Sequence, residues 1–230
     1  MADLPANYRK LIGSIAEAAA RAGRKPEDIK LLGAAKSQPV ELVQAAIVAG
    51  VGLIGENYVQ EAKDKARAIS RSVEWHMIGH LQRNKAKAAV ELFDVIESLD
   101  SAALARELDK EGAKRGKKVR TLIEVNLAGE GSKSGIAKDR VKSLLEETGR
   151  LPNLSVEGLM TVPPFRENPE HVRRYFRELA ELRAQLDEFG LPNVALKELS
   201  MGMTHDYPVA IEEGATIVRI GTALFGPRSH

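Results

Sequence analysis

Three groups of residues have types and spacings that could do chemistry. The first is Lys36, which closes the otherwise apolar run Ile29-Lys30-Leu31-Leu32-Gly33-Ala34-Ala35. A lysine there either snorkels out at a barrel edge or is an amine held in a cavity. In a cavity, desolvation beside other cations would lower the amine's pKa and make it a Schiff-base nucleophile. The second group is the pair of stretches Ser200-Met201-Gly202-Met203-Thr204 and Gly221-Thr222. Such glycine- and hydroxyl-bearing segments either simply turn the chain or gather backbone N–H groups around an anion such as phosphate. The third is Arg219, inside the apolar run Thr216-Ile217-Val218-Arg219-Ile220. Burying a guanidinium without partners is prohibitive. Arg219 must pair with a carboxylate such as Glu198 or Glu56, or donate to the ring nitrogen of a bound heterocycle.

The elements that must position these groups follow one rhythm. A first helix, with Leu11, Ile12, Ile15 and Ala19 on one face, stops near Gly23. Short apolar runs then alternate with amphipathic segments: 29–35, 52–54, 75–78, 95–99, 119–125, 155–159, 195–199 and 216–220. Helices begin near Pro39, Asn57, Gln82, Ser101, Lys138, Pro169 and Asp206, and glycines such as Gly50, Gly149 and Gly214 mark stops. This alternation implies parallel strands joined by helical crossovers. A dinucleotide-binding open sheet would place a Gly-rich turn after its first strand; Ala34-Ala35-Lys36-Ser37 stands there instead. Eight runs point to an α/β fold of one domain spanning 1–230, a closed (β/α)8 TIM barrel with an extra N-terminal helix. In that architecture, working residues lie at the C-terminal ends of strands, and phosphate sites follow strands seven and eight. Lys36, Asn57, His76, Ser200 and Arg219 all fall on or near that rim.

Composition narrows the rest. The 230 residues carry 34 Lys plus Arg against 32 Asp plus Glu, a net charge of only +2. Basic clusters at Arg83-Lys85-Lys87 and Lys114-Arg115-Lys117-Lys118 read as a solvated helix face and a helix C-terminus, so no nucleic-acid partner is expected. There is no cysteine, which removes disulfides, thiolate metal sites and a Cys nucleophile. The five histidines lack the i, i+4 pairing of a helical metal site, and no metal is expected. No apolar run approaches the ~20 residues of a membrane span. Arg9, Lys10 and Glu17 interrupt any signal-peptide core, so a cytoplasmic location is expected.

Longer stretches carry a family resemblance. They are Leu32-Gly33-Ala34-Ala35-Lys36-Ser37-Gln38-Pro39, Gly55-Glu56-Asn57-Tyr58-Val59-Gln60-Glu61 and Trp75-His76-Met77-Ile78-Gly79-His80-Leu81-Gln82-Arg83-Asn84-Lys85. They continue with Gly158-Leu159-Met160-Thr161, Leu199-Ser200-Met201-Gly202-Met203-Thr204-His205-Asp206 and Val218-Arg219-Ile220-Gly221-Thr222-Ala223-Leu224-Phe225-Gly226. In order along nearly the whole chain, these blocks resemble the pyridoxal phosphate homeostasis protein family, whose fold is similar to the N-terminal barrel of alanine racemase (fold type III). The resemblance implies a Schiff base between Lys36 and pyridoxal 5′-phosphate. It implies a phosphate held by Ser200, Gly221, Thr222 and the amides near Met201 and Gly202. It also implies that Arg219 faces the pyridine nitrogen and that Asn57 and His76 line the pocket. His80 is given no role.

An arginine at the pyridine nitrogen donates a hydrogen bond without readily delivering a proton, which weakens the cofactor's electron sink. Racemisation also needs a second acid–base group opposite Lys36. In alanine racemase a tyrosine from a partner's second domain supplies it, and here Tyr58, Tyr175 and Tyr207 are available without an evident place. The expected function is therefore a non-catalytic carrier or buffer of the cofactor in vitamin B6 homeostasis, affecting amino-acid metabolism. Its expected partners are pyridoxal phosphate and apo forms of enzymes that use it, and the expected state is a monomer. The alternatives are a fold-type-III amino-acid racemase and an empty barrel used as a scaffold.

Overall fold

The computed structural model describes residues 3–69, 73–130 and 134–227. Each of the eight apolar runs forms a strand: β1 Lys30–Ala34, β2 Leu53–Glu56, β3 Glu74–Met77, β4 Val95–Leu99, β5 Val119–Asn126, β7 Leu154–Met160, β8 Val194–Met203 and β9 Ile217–Ile220. A two-residue strand, β6 (Ile136–Ala137), lies beside β5 outside the ring. It is too short to carry any periodicity, which is why the sequence does not announce it. The ring runs β1-β2-β3-β4-β5-β7-β8-β9, and the parallel pairings β4–β5 and β9–β1 close it.

Closure explains why the strands are aliphatic on both faces. Inward-facing Leu32, Leu53, Val95, Leu122, Met160 and Ile217 fill the barrel, with Ile78 packed above them. Outward-facing Ile54, Met77, Ile96, Ile123, Leu159 and Val218 meet the helices. Those helices are α2 Val40–Ala49, α3 Val59–Ala68, α4 Ala86–Leu92, α5 Ala102–Arg115, α6 Val141–Thr148, α7 Arg173–Asp187 and α8 Tyr207–Glu212. The starts expected at Gln82, Lys138 and Pro169 prove to be one-turn 3₁₀ segments leading into α4, α6 and α7. The second basic cluster is largely committed to local partners. Lys114 and Arg115 pair with Glu111, and Lys117 donates to the carbonyls of Val90 and Phe93.

The helix after β9, α9 (Thr222–Phe225), has only four residues and cannot cover its side of the ring. The N-terminal helix α1 (Leu4–Arg21) does so instead, packing on α2, α8 and α9. Asp3 caps it by accepting the Ala6 N–H at 3.1 Å, and Leu4, Leu11, Ile15, Ala18 and Ala19 form its buried face. Arg24, just beyond, donates to the carbonyls of Ile211 and Ala215. The extra helix thus completes the outer layer. Among the described residues, no helix is long and apolar enough to cross a membrane.

An Ile15→Ala substitution should therefore cost about 2–5 kcal/mol, as for core truncations elsewhere. Urea unfolding measures this, and a loss below about 1 kcal/mol would make α1 an appendage rather than part of the outer layer.

Candidate functional site

The C-terminal ends of the strands frame a cavity of ≈ 570 Å³. Ala34 and Lys36 enter it from β1, Asn57 from beyond β2, and Ile78, Gly79 and His80 from beyond β3. Opposite stand Glu124, Val125 and Asn126 of β5, with Ser134. Val162 and Phe165 form an apolar lip, where the Phe165 ring meets His205 at 5.4 Å between centroids. Met203, Thr204, Arg219, Gly221 and Thr222 complete the wall.

Five of the nine expected site residues thus share one cavity: Lys36, Asn57, Arg219, Gly221 and Thr222. Lys36 is half-buried, on a turn closed by the Gln38 N–H donating to the Ala35 carbonyl at 3.0 Å. The segments after β8 and β9 do meet, with the Ala223 N–H pointing to Thr204 Oγ1 at 3.4 Å. Gly79 permits the closeness of the β2 and β3 loops, since a Cβ there would lie 2.5 Å from the Asn57 carbonyl oxygen.

His76, Ser200, Met201 and Gly202 are not on the cavity wall, and strand geometry gives the reason. The strand β8 runs through Met203, so 200–203 is the bulged end of a strand and not the loop expected from the sequence. With side chains alternating along it, Ser200 points into the barrel one layer below the cavity, and Met201 packs in the outer core. Gly202, at φ 90°, presses against α8; a Cβ there would lie 2.6 Å from Ala210 Cβ. His76 faces inward too, but Ile78 stands above it on the same side.

Beneath the cavity these residues form a buried column. Arg219, 4% exposed, donates through Nη1 to Ser200 Oγ at 2.7 Å and through Nη2 to the Thr161 carbonyl at 2.8 Å. Ser200 Oγ donates to Glu97 Oε2, and Glu97 Oε1 holds His76 Nδ1 at 2.6 Å. Neither carboxylate proposed from sequence pairs with Arg219. Glu198 binds Lys30 and Thr216, and Glu56 binds Lys65. Burial lowers the Arg219 pKa, with Glu97, Glu124 and Asp206 opposing the fall. Burial also disfavours a charged His76, yet hydrogen bonding and attraction to Glu74 and Glu97 prevail and raise it to about 9. Glu97 is held below its ordinary value: burial works against its charge, and His76, Arg219 and Ser200 outweigh burial.

Glu124 went unnoticed in the sequence, and it is a prominent polar group of the wall. It is 5% exposed, its Oε1 accepts from Ser134 Oγ at 3.0 Å, and its Oε2 has no hydrogen-bond partner among the described residues. Burial raises its pKa. The signal was available: an acid at an even position of 119–126, in step with inward-facing Leu122.

The family model described as alanine racemase, N-terminal domain, matches residues 15–229. Within that class of barrels, the chain belongs to the pyridoxal phosphate homeostasis protein family. It is 49% identical over 223 residues to the protein of that name from Aquifex aeolicus, covering 96% of each chain. It is 37% identical to the one from Escherichia coli K12, over 100% of this chain and 99% of the other. Among solved structures, PipY of Synechococcus elongatus with PLP bound superposes at a TM-score of 0.82 and 35% identity, covering 92% of this chain and all of that one. An alanine racemase from Clostridium difficile shares the fold at a TM-score of 0.76 and 15% identity, this chain spanning 57% of its length.

The column also gives the protein a pH dependence. The folded state binds the His76 proton more tightly than the unfolded chain, whose ordinary value is 6.5. That stabilisation is complete below about pH 6.5 and is lost as pH rises through about 9. The thermal midpoint should fall across this window in the parent and be flatter in His76→Gln; parallel profiles would rule the column out as the cause.

Proposed function

We propose that this protein carries or buffers pyridoxal 5′-phosphate, held by a Schiff base to Lys36. The observation that carries this reading is the sharing of one cavity by an amine, a buried guanidinium and the small-residue segments after β8 and β9. The relatives' name and the PLP-bound neighbour support it. The cavity suits the group: its volume falls within the range of small-molecule sites, and the free Oε2 of Glu124 offers a polar contact to a bound heterocycle. When bound, the cofactor would supply an aldehyde for the lysine and an electron sink.

The chain's own residues keep that sink weak. Arg219 is the group assigned to the pyridine nitrogen. A guanidinium donates hydrogen bonds but does not give up its proton, and Ser200 and Thr161 restrict its orientation. Asn57 is the assigned side contact, and Gly221 and Thr222, with Thr204, are the assigned phosphate contacts. Ser200, Met201, Gly202 and His76 act from one layer further out, through Arg219 and the course of β8. No tyrosine lines the cavity among the described residues: Tyr58 is exposed, and Tyr175 and Tyr207 belong to the outer core. A carrier does not need the opposite base that racemisation requires. We place the protein in the cytoplasm as a single barrel domain and a monomer, meeting apo-enzymes that use the cofactor.

Borohydride should trap the cofactor on Lys36 in the parent, and Lys36→Ala should lose both the trapped adduct and the visible absorbance band. Covalent trapping at another lysine would move the site. In deuterated water with single L-amino acids, the loaded protein should show no multiple-turnover exchange at Cα. Such exchange would replace the carrier reading with the racemase one.

A further inference from the structure

The turn that bears Lys36 is held by a second lysine buried behind it. Lys65, on α3, is 5% exposed and reaches from the helix to the end of β1. Its Nζ donates to the Ala35 carbonyl at 2.7 Å and to Glu56 Oε1 at 2.6 Å, and lies 3.7 Å from Glu61 Oε2. Glu61 Oε2 in turn accepts the Ser37 N–H at 3.0 Å. The carbonyl before Lys36 and the amide after it are therefore tied to one cluster of charges. Just beyond them the chain is strained, for Ser37 sits at φ 60°, a left-handed conformation that residues with a Cβ avoid.

This cluster is a poor choice if stability were its purpose. Apolar residues of similar volume usually serve a buried position as well as an ion pair does. Glu56 is fully buried, and its Oε2 has no hydrogen-bond partner among the described residues. Lys65 cannot itself be the cofactor's amine, since it does not line the cavity and two acceptors already hold its Nζ.

We propose that Lys65, held by Glu56 and Glu61, is a positioning residue that aims the Lys36 amine into the cavity; this rests on the assignment of Lys36 as the cofactor's anchor. In the condensation it serves, the Lys36 nitrogen adds to the aldehyde carbon and a C=N bond forms. The C–O bond breaks, and the oxygen leaves as water with the two protons of the neutral amine. The step needs the nitrogen lone pair directed at the carbonyl carbon, and the turn sets that direction.

The test compares the parent with Glu56→Gln/Lys65→Met, which removes both buried charges together. Positioning predicts near-parental thermal stability, retained reversible binding of pyridoxal 5′-phosphate, and trapping on Lys36 slowed about 10- to 100-fold, the usual effect of a small misplacement. It also predicts that the pH at which the visible band titrates will shift. A variant that traps at the parental rate, with the same titration, would overturn the proposal. Should the double variant not fold, Glu61→Ala removes the acceptor of the Ser37 N–H together with the 3.7 Å contact to Lys65 on the partly exposed side; it should slow trapping in the same sense, and an unchanged rate overturns the proposal equally. A parent that binds the cofactor without trapping it on Lys36 overturns both this inference and the anchor assignment, whereas fast trapping in parent and variants alike defeats the positioning role alone.

Discussion

Inside a closed parallel barrel, every second side chain of every strand faces a space that water does not fill. Any polar group placed there must find its partners among the other strands. This chain meets the constraint with a layer of aliphatic residues below and a column of hydrogen-bonded polar groups above it, from His76 through Glu97 and Ser200 to Arg219. The column joins β3, β4, β8 and β9, which lie in different parts of the ring. Its top member is also a wall of the cavity, so the orientation of Arg219 is set by contacts that no ligand makes.

Much of this was legible in the sequence. The eight apolar runs became eight strands because closure and helical cover bury both faces of each, leaving a strong local signal. Lys36, Asn57, Arg219, Gly221 and Thr222 were legible because a strand's C-terminal end fixes their place along the barrel axis. Depth was less legible. Whether His76 or Ser200 touches the cavity depends on stagger between neighbouring strands and on Ile78, and no single segment encodes these. Ser200-Met201-Gly202-Met203 read as a loop because of its glycine, yet the strand continues through it beside β9 with a shift of register between Ser200 and Met203. Arg219's partners were misjudged for a related reason: Glu198 lies a layer lower, and Glu56 is taken by Lys65.

The likeness to the racemase fold separates scaffold from chemistry. Both chains hold a barrel of this kind, and the mouth here is lined, among the described residues, by three side-chain amides, one carboxyl group, two imidazoles and a phenyl ring. Burial raises the pKa of Glu124, so a negative charge on that side of the mouth is disfavoured.

The strand β9 pairs with β8 on one side and with β1 on the other, and α1 rests on the helices that flank it. Helix α1 thus docks against elements translated about 200 residues after it. Until 217–220 have been synthesised, β1 and β8 each present an unpaired parallel edge of the kind that recruits foreign strands. The ring can then shut only through contacts between strands far apart in sequence, β1 and β9, a slow closure by the usual relation between topology and rate. For this chain the hazardous interval is that between translation of β8 and translation of β9.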